Sequence, residues 1–571
     1  MKIINFILRG LLFIVKEIIS FFIKIFLLLL VIVSLIGVFS AKKFNKEITI
    51  ARNTYVEIDF SRRIMEKRTN IPNFFNEREI SFYTIIKTLN EISRDPSVNG
   101  IILKLDRMGL NYGQIEELSE ILQKIKANGK KIYAHTTRMN NRNYWFAIQA
   151  DKIMMPPSAS ASVDITGYYL ELEYYKNFMD RIGVSFNVIH VGDYKSYGEN
   201  YTKSRMSNEF RENLTEIYDK IYKDFINDIS IKRAQNKDKF ENKILNGDLV
   251  ASSPQKLLEI QMIDGLIYYE EFKRQFGNNV ISINKYMLAN TISPKITNRN
   301  KIAIITAEGE IIDTKTRARG YIYPEAIITD LEKAKNDISI KGIVLRVNSP
   351  GGSAIASDII ANKVQEVGRY KPVYVSIGGT AASGGYYISA YATKIYADRN
   401  SVTGSIGVVS LIPNFSKLLD EKGNINIETI KKGNYSDLYS VFTAFNVEKA
   451  QKLYKSSEAV YEDFLTAVAT GRRLKKEDVH KIGQGKVWLG SDAMKNGLVD
   501  EIGGLSKCIE DLARNLKLPD YSVIEITTVS GLNSFFEENV PFANLINHLN
   551  ELELNKDYYF RPMKYFPYDI K

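Results

Sequence analysis

The sequence predicts an α/β protein that contains two tandem copies of one domain behind a transmembrane helix. Residues 99–105 recur as residues 341–347, and residues 144–153 recur as residues 386–395 at the same offset. In both copies, short apolar strand patterns alternate with helical patterns. An apolar run near the N-terminus is long enough to cross a bilayer. The period of the repeat far exceeds that of a solenoid, so it indicates duplication of a whole domain.

Strands and helices alternate within each copy. Strand patterns open the two copies at residues 55–60 and 302–306. Short apolar strands that alternate with helices are typical of largely parallel sheets with right-handed crossovers. The further predicted elements are the strands 101–105, 131–135, 343–347 and 373–377 and the helices 115–126, 356–367 and 386–391.

Long amphipathic patterns follow toward the end of each copy, at residues 208–233 and 447–473. Apolar side chains recur at helical spacing along one face of each pattern. Such a face fits core packing, and it also fits a surface that pairs with another helix or subunit. Helical spacing does not separate these two interpretations.

The domain boundaries follow from the repeat and from the segments that have no partner in the other copy. Residue 383 and its neighbours in the second copy correspond to Asn141 and its neighbours in the first, while Lys195 corresponds to Ser436. The predicted segments are an amphipathic cytoplasmic leader (1–20), a transmembrane anchor (21–41), a first copy carrying the lysine (46–275), a linker (276–298), a second copy carrying the serine (299–515) and a C-terminal appendage of unknown role (516–571).

Composition argues against several classes of function. The chain has 571 residues, 45% hydrophobic and 25% charged, which is ordinary for folded domains large enough to shield an active site from water. The net charge of +11 includes no basic block with interleaved aromatic residues, so no nucleic-acid partner is predicted. Cys508 is the only cysteine and the histidines are scattered, so we predict no disulfide, no metal site and no cofactor.

The N-terminal apolar run predicts a membrane anchor. Residues 21–40 carry one charge, Lys24, and at about 1.5 Å per residue such a helix crosses a hydrocarbon core of roughly 30 Å. Basic residues before the run favour a cytoplasmic N-terminus, although Lys42, Lys43 and Lys46 follow it. A cleaved secretory signal is the alternative, but the charged leader and the apolar run are both long for one. We therefore predict an uncleaved single-pass anchor.

Ser383 lies in the glycine-rich run 378–385, between a strand pattern and a helix pattern. A serine on such a turn presents its hydroxyl outward, and the backbone N–H of Gly384 points toward developing negative charge. A serine that only caps the helix is the alternative interpretation. Ala381 replaces the first glycine of a Gly-x-Ser-x-Gly elbow and no Gly-Lys-Ser/Thr follows, so neither a triad hydrolase elbow nor a phosphate-binding loop is indicated.

A second glycine turn, Asn-Ser-Pro-Gly-Gly-Ser at residues 348–353, ends the preceding strand. Adjacent glycines let backbone amides approach a ligand closely, so Gly351 or Gly352 is a candidate second donor of an oxyanion hole. Simple turn chemistry is the alternative. The first copy has neither glycine pair at the corresponding positions, residues 106–111 and 140–143, so the fold itself does not require them.

A nucleophilic serine requires a base, and the sequence offers two candidates. His190 ends an apparent strand, but no acidic partner lies near it in the sequence. Lys195, in Gly-Asp-Tyr-Lys-Ser at residues 192–196, is the better candidate, although most lysines are simply solvated. Burial without an anionic partner lowers the pKa of a lysine, because desolvation disfavours the ammonium form.

Several motifs together resemble the long, duplicated form of signal peptide peptidase A, a family of membrane-anchored serine proteases with the crotonase/Clp-protease fold. The similarity covers residues 50–510. In the first copy it rests on the lysine motif at residues 192–196. In the second copy it rests on residues 348–353, 381–385, 403–407, 487–493 and 497–500.

The resemblance implies tandem crotonase/Clp-protease-like domains and a Ser/Lys catalytic dyad. By this resemblance Ser383 is the nucleophile, Lys195 is the general base, and the hydroxyl of Ser405 holds the lysine amine in place. The amides of Gly384 and of Gly351 or Gly352 bind the oxyanion. The family often has Pro-Phe shortly after the lysine motif, whereas residues 199–201 here are Glu-Asn-Tyr, so the subsite beside the lysine stays open.

The implied function is that of a membrane-anchored serine endopeptidase that degrades cleaved signal peptides and other extended apolar peptides. Its implied partners are these peptides, the lipid bilayer and further copies of the chain in a homotetramer. The implied location is the cell (inner) membrane, with the N-terminus cytoplasmic and the catalytic domains on the extracytoplasmic side. The alternatives are an acyl-CoA-processing enzyme of the same superfold and a noncatalytic membrane scaffold.

Overall fold

The structure is a computed structural model. It describes residues 50–61, 64–66, 80–291, 299–313, 320–443, 445–526 and 563–565, with scattered residues between 20 and 31. The predicted leader and most of the predicted anchor lie outside the described residues. Within the described part of the chain, no helix combines the length and the apolar character that crossing a membrane requires.

The first repeat contains nine strands and ten helices in the described residues. Its strands are β1 (Thr54–Asp59), β2 (Val98–Lys104), β3 (Lys131–His135), β4 (Arg138–Asn140), β5 (Lys152–Met155), β6 (Ser162–Asp164), β7 (Ser185–Val191), β8 (Gly265–Leu266) and β9 (Val280–Ser282). Its helices are α1 (Phe82–Arg94), α2 (Tyr112–Ala127), α3 (Asn141–Ala147), α4 (Lys176–Ile182), α5 (Glu199–Thr202), α6 (Asn208–Lys232), α7 (Lys237–Leu245), α8 (Pro254–Glu259), α9 (Tyr269–Arg274) and α10 (Ile283–Thr291).

The second repeat has the same alternation. Its strands are β10 (Lys301–Glu308), β11 (Glu310–Ile311), β12 (Tyr321–Ile322), β13 (Ile340–Ser349), β14 (Gly351–Ser353), β15 (Val373–Ala382), β16 (Lys394–Ala397), β17 (Val402–Gly404), β18 (Val408–Asn414), β19 (Val487–Leu489), β20 (Glu501–Ile502), β21 (Ser522–Ile526) and β22 (Met563–Tyr565). Its helices are α11 (Pro324–Asn336), α12 (Ala354–Gly368), α13 (Gly384–Tyr387), α14 (Val447–Arg472), α15 (Lys476–Ile482), α16 (Gly490–Lys495) and α17 (Leu505–Asn515), with a π-helical turn at Leu418–Lys422.

Each repeat is built on one largely parallel sheet, as the β-then-α alternation predicts. The first sheet has the order β8-β5-β3-β2-β1-β9, and every pairing in it is parallel. The second sheet has the order β19-β17-β15-β13-β10-β21, and only the β17–β19 pair is antiparallel. The prediction of an α/β fold with duplicated parallel sheets is confirmed.

A third sheet joins the two repeats. Its order is β12-β11-β14-β22-β18-β7, so strand β7 of the first repeat lies at its edge beside strand β18 of the second. The two strands run antiparallel from Val191 opposite Val408 to Ser185 opposite Asn414. We call this pairing the inter-repeat ribbon. Because backbone hydrogen bonds run along it, the loop that follows β7 is held against the second repeat.

The hydrophobic core crosses the boundary between the repeats. One cluster of buried side chains extends from Val56 and Leu103 in the first repeat to Ile304, Val344 and Leu512 in the second. A second cluster fills the opposite face of the second sheet. The apolar stripe of α6 is buried, with Ile221, Phe225 and Ile229 fully excluded from solvent, and most of the α14 stripe is buried too. Core packing within the chain therefore accounts for the long amphipathic patterns.

The helices that frame the site begin at side chains suited to the task. Asn111 and Gln114 form a reciprocal capping box at the start of α2. The hydroxyl of Ser207 caps α6 by accepting a hydrogen bond from the Phe210 amide at 3.3 Å. The hydroxyl of Ser353 caps α12 in the same way. These caps fix where each helix starts relative to the strand before it.

Three predicted segments differ in the structure. The predicted strand 373–377 continues through the glycine-rich run to Ala382, because parallel pairing with β17 extends the ladder from Thr380 to Ala382. The predicted helix 386–391 is the shorter α13. The described part of the predicted linker 276–298 consists mainly of β9 and α10, and β9 is paired with β1 in the first sheet.

The predicted C-terminal appendage also contributes to the sheets where it is described. Strand β21 lies beside β10 at the edge of the second sheet. The backbone of β22 runs antiparallel to β14, with Tyr565 opposite Gly351, and Met563 lies opposite Val409 of β18. The rest of the appendage beyond residue 526 lies outside the described residues.

Candidate active site

The candidate site lies where the two repeats meet. Strand β7 ends at Val191, and the loop that follows it carries Lys195 of the first repeat. Strand β15 ends at Ala382, and Ser383 of the second repeat is the next residue. The inter-repeat ribbon brings these two strand ends together. Residues 188 positions apart in sequence thereby become neighbours.

The amine of Lys195 has three oxygen neighbours. Its Nζ lies 2.8 Å from Ser383 Oγ, 3.0 Å from Ser405 Oγ and 3.1 Å from the carbonyl oxygen of Ser405. All three are uncharged groups. Lys195 is 3% exposed, Ser405 1% and Ser383 0%, so the arrangement is closed to bulk solvent within the chain.

Burial lowers the pKa of Lys195 well below the usual value for a lysine. Desolvation is the cause, because the ammonium form loses its hydration and no carboxylate lies close enough to compensate. The environment therefore favours the neutral amine. A neutral amine has a lone pair that can accept a proton, which an ammonium lacks.

Ser383 has a backbone conformation that is rare for a side chain other than glycine. Its φ is 55° and its ψ is −118°, in a region where residues with a Cβ are strained. The structure around it holds that conformation: its amide donates to the Gly404 carbonyl at 2.8 Å, and its carbonyl accepts from the Tyr387 amide at 2.9 Å. The turn directs the hydroxyl toward Lys195 rather than into a helix cap, since the side chain makes no capping hydrogen bond.

Ser405 shares this feature, with a φ of 52°. Its amide donates to the Lys486 carbonyl at 2.8 Å, which anchors it to the segment before β19. Both its carbonyl and its hydroxyl face the amine of Lys195. Ser405 thus holds the lysine side chain through two oxygens of one residue.

The two glycine turns pack directly against each other beside Ser383. A Cβ built on Gly384 would lie 3.3 Å from the Gly352 nitrogen and 3.3 Å from the Gly351 Cα. Gly352 has a φ of 144°, and a Cβ there would lie 2.1 Å from the carbonyl oxygen of Ile311. Only glycine fits at Gly352 without moving backbone. The sequence-predicted oxyanion residues are therefore together at one place next to Ser383.

Two supporting serines were not singled out from the sequence. The amide of Gly351 donates to Ser349 Oγ at 3.2 Å, and Ser357 Oγ donates to the Ser353 carbonyl at 2.7 Å. The Ser357 hydroxyl also lies 2.5 Å from the position of a Cβ on Gly384. Ser349 directly precedes the Pro-Gly-Gly turn, while Ser357 lies five residues after it, in the first turns of α12. Serines near a turn are common for reasons of local hydrogen bonding, so neither residue carried a specific signal in the sequence.

The other sequence candidates lie outside this cluster. His190 is exposed, and its Nδ1 hydrogen-bonds with the Gly192 carbonyl at 3.2 Å rather than with Ser383. Asn141, which occupies the position of Ser383 in the first repeat, accepts from the Thr166 amide at 3.1 Å. Ser436, which the sequence comparison aligns with Lys195, is exposed. At the constant offset of the repeat the aligned residue is its neighbour Asp437, which forms ion pairs with Lys431 and Lys449. Each repeat therefore lacks the reactive residue that the other one supplies.

A buried ion cluster connects the repeats behind the site. The guanidinium of Arg346, on β13, contacts both carboxylate oxygens of Glu66 at 3.0 Å and Glu117 Oε1 at 2.5 Å. It also donates to Ser376 Oγ at 2.8 Å. All three charged side chains are 1–2% exposed. Glu66 and Glu117 belong to the first repeat, so this cluster fixes that repeat against the second sheet.

Comparison with known proteins is consistent with this geometry. The profile described as peptidase family S49 matches residues 124–251 and 365–519, one segment in each repeat. Protease 4 of Haemophilus influenzae is 32% identical over 454 residues, which are 76% of this chain and 72% of that protein. The chain belongs to peptidase family S49. The resemblance stated from the sequence is thereby confirmed.

Other relatives of this S49 peptidase agree. Protease 4 of Salmonella typhi is 30% identical over 460 residues, covering 78% of this chain and 73% of that protein. The putative signal peptide peptidase SppA of Enterococcus faecium is 32% identical over 279 residues, covering 47% of this chain and 80% of that protein. The profile described as Clp protease matches residues 303–403. The shorter match to the Enterococcus protein is consistent with duplication in this chain.

The S49 peptidase is a serine protease. Its enzyme class is therefore peptide hydrolysis, rather than the acyl-CoA chemistry or the noncatalytic scaffold that the fold alone left open. The roles of the residues described above rest on their geometry.

Proposed function

We propose that this S49 peptidase is a membrane-anchored endopeptidase that hydrolyses cleaved signal peptides and other extended apolar peptides with a Ser383/Lys195 dyad. One observation carries the proposal: the lysine amine lies 2.8 Å from the serine oxygen, in a buried pocket without a carboxylate. A neutral amine has two N–H bonds and one lone pair. These match the two oxygens of Ser405 and the hydroxyl proton of Ser383.

The reaction begins when Ser383 Oγ attacks the scissile carbonyl and Lys195 accepts the hydroxyl proton. The resulting ammonium then donates this proton to the leaving amine, and an acyl-enzyme remains. Lys195, neutral again, removes a proton from a water molecule that attacks the ester. Collapse of the second tetrahedral intermediate releases the peptide acid, and Ser383 regains its proton from the lysine.

We infer that the amides of Gly384 and Gly352 stabilise the oxyanion. The amide of Gly351 already donates to Ser349 Oγ, which makes Gly352 the better second donor. The Gly352 nitrogen is also the one that lies near Gly384. Loss of one such donor typically costs about 3 to 4 kcal/mol of transition-state stabilisation, which is comparable to the effect of a general base.

We infer that the substrate binds as an added strand between β14 and β18. The backbone of β22 has this position, antiparallel to β14. Main-chain hydrogen bonds to a strand edge recognise an extended peptide whatever its side chains, which suits an enzyme that degrades diverse apolar segments. A substrate would take this position in place of β22. The name of the Enterococcus relative supports signal peptides as the substrate class.

The membrane anchor, the orientation and the homotetramer belong to the same proposal. Residues 21–41 anchor the chain in the cell (inner) membrane with the N-terminus cytoplasmic, and the catalytic repeats lie on the extracytoplasmic side. Digestion of intact spheroplasts by an added protease tests the orientation, because extracytoplasmic repeats are degraded and cytoplasmic ones are protected. Native mass measurement in detergent tests the tetramer. Protected repeats or a monomeric mass would refute these parts separately.

The dyad is tested by labelling the full chain in detergent with a fluorophosphonate and mapping the modified residue. We expect one label, on Ser383. Ser383→Ala should lose both the label and the hydrolysis of an apolar peptide. Ser389→Ala is the matched control, since Ser389 is also fully buried and bonds the Gly385 carbonyl at 2.8 Å without contacting Lys195. Labelling that persists in Ser383→Ala, or hydrolysis that persists in Lys195→Ala, would refute the dyad.

A further inference from the structure

We propose that Asn213, on helix α6 of the first repeat, is a positioning residue that aligns Ser405 and, through it, the amine of Lys195. This inference rests on the proposed dyad and extends it to a residue that touches neither reacting atom. It gives the first repeat two contributions to the site, the base and part of the support that holds the base in place.

The carboxamide of Asn213 bonds both main-chain groups of one residue in the second repeat. Its Nδ2 donates to the Val487 carbonyl at 2.9 Å, and its Oδ1 accepts from the Val487 amide at 2.9 Å. Asn213 is 3% exposed, so these are buried hydrogen bonds whose loss leaves polar groups unsatisfied. The carboxamide of Asn213 thus bonds the outer edge of β19 in the way that the backbone of a further strand would.

The segment that Asn213 holds fixes the backbone on both sides of Ser405. Val487 lies opposite Gly404 in the antiparallel β17–β19 pair. Two further backbone hydrogen bonds join the same two segments. The Ser405 amide donates to the Lys486 carbonyl at 2.8 Å, and the Gly485 amide donates to the Ile406 carbonyl at 2.7 Å. A serine keeps a positive φ only where the surrounding structure holds its backbone in that conformation. These hydrogen bonds help to hold the backbone of Ser405 at its φ of 52°.

The same segment also contacts the lysine loop. The amide of Tyr194 donates to the Gln484 carbonyl at 2.8 Å. A Cβ on Gly485 would lie 2.5 Å from the backbone nitrogen of Lys195, so this glycine packs against the main chain of the base. Residues 484–487 therefore contact both partners of the hydrogen bond between Ser405 and Lys195. A shift of this segment changes the distance between them.

Two titratable side chains near the segment, Lys486 and His480, have partners outside the pocket. Lys486 pairs with Glu216 at 2.9 Å and stacks on Trp488, with its Nζ 4.9 Å from the ring centre. His480 hydrogen-bonds with the hydroxyl of Tyr461 at 3.0 Å. Asp193, two residues before Lys195, is the remaining charge in the lysine loop, and it is not among the causes that shift the pKa of Lys195. Desolvation alone accounts for the lowered pKa of Lys195, so a change in its burial moves its titration directly.

The test compares Asn213→Ala with Asn143→Ala in the full chain. Asn143 is an equally buried asparagine of the first repeat, which donates to the carbonyls of Leu105 at 2.8 Å and Arg138 at 3.0 Å and makes no hydrogen bond with the dyad. Both variants lose buried hydrogen bonds and both should unfold at lower denaturant concentration. The readouts that separate them are kcat, KM and the pH profile of kcat.

We expect Asn213→Ala to lower kcat about 10- to 100-fold, with KM nearly unchanged, because small misplacements of catalytic groups have effects of this size. Its pH profile should move to higher pH, since a loosened Ser405 admits water and raises the pKa of the amine toward that of a free lysine. Asn143→Ala should keep the wild-type kcat and profile. Asn213→Ser, which leaves room for a bridging water, should fold in any case and show the same changes at smaller size. Wild-type kcat and profile in the folded Asn213 variants would overturn the proposal.

Discussion

Ser405 offers the sharpest test of why Lys195 is uncharged. The pocket around its amine contains hydroxyl and carbonyl oxygens but no carboxylate, and desolvation alone lowers its pKa. Ser405→Asp would put a carboxylate in place of the hydroxyl whose oxygen now lies 3.0 Å from the amine. Ser405→Asn adds the same volume without the charge. Asparagine and aspartate both tolerate the positive φ of this position, so the pair differs only in electrostatics.

The size of the effect follows from the distance. Opposite unit charges about 4 Å apart attract by roughly 4 kcal/mol at an effective dielectric constant of about 20. Burial of the new carboxylate offsets part of this attraction, so we expect the pKa of Lys195 to be higher in Ser405→Asp than in Ser405→Asn. On the rising limb of the pH profile, activity is proportional to the neutral fraction of the amine. Activity there should therefore be about 10- to 1000-fold lower with aspartate.

The assay is kcat/KM for an apolar peptide measured from about pH 6 to about pH 10. Wild type should gain activity as pH rises and then level off, and the Ser405→Asp curve should be displaced to higher pH relative to Ser405→Asn. High salt should change the displacement little, because the pair is buried. Superimposable profiles for the two variants would refute the requirement for a neutral amine.

Three other substitutions test the energetics of the site and of the repeat boundary. Lys195→Met should abolish hydrolysis yet stabilise the fold at neutral pH. In wild type, the lysine of the unfolded chain binds a proton that the buried lysine of the folded chain does not. The free energy of unfolding of wild type therefore rises by about 1.4 kcal/mol per pH unit between the lowered pKa of Lys195 in the folded state and its pKa in the unfolded state. The denaturant midpoint of the variant relative to wild type should fall toward alkaline pH, and a constant difference would contradict this. Gly384→Ala puts a Cβ 2.5 Å from Ser357 Oγ and should lower kcat about 100- to 1000-fold, with partial recovery on adding Ser357→Ala; wild-type turnover would argue against the oxyanion role. Arg346→Met leaves buried Glu66 and Glu117 without their cation and should reduce the free energy of unfolding by about 3 to 5 kcal/mol. Changing both glutamates to glutamine in this variant should restore most of that free energy. If the glutamines do not restore it, the cause is not electrostatic.

Much of the architecture was predictable because local pattern and tertiary environment agree. The strand Lys131–His135 and the helices α6 and α14 match their predicted bounds closely, since buried apolar side chains repeat at the period of each element. The meeting of Ser383 and Lys195 was expected from reactive residues present in only one copy each, together with the family resemblance. Their roles remain a proposal that the distances support.

The remaining features depend on contacts that sequence patterns do not encode. Glycines are rare in strands, so the run before Ser383 did not indicate a strand, and only its pairing with β17 makes it one. The predicted linker contains β9, whose three residues are too few for a periodic signal. Asn213 interrupts an apolar helix face, but what its carboxamide bonds is decided by a strand far away in the chain. The positive φ of Ser405 is likewise set by its neighbours.

The inter-repeat ribbon has a consequence for stoichiometry. Although the fold is present twice, the proposed chemistry needs one group from each copy, so a serine-reactive inhibitor should saturate at one equivalent per polypeptide. The position that corresponds to each reactive residue in the other repeat holds no equivalent group that could replace it, so loss of the reactive residue in either repeat should abolish activity. Separately expressed halves should regain turnover only when they reassociate through the edges of β7 and β18, which makes the enzyme a natural candidate for a split-protein reporter.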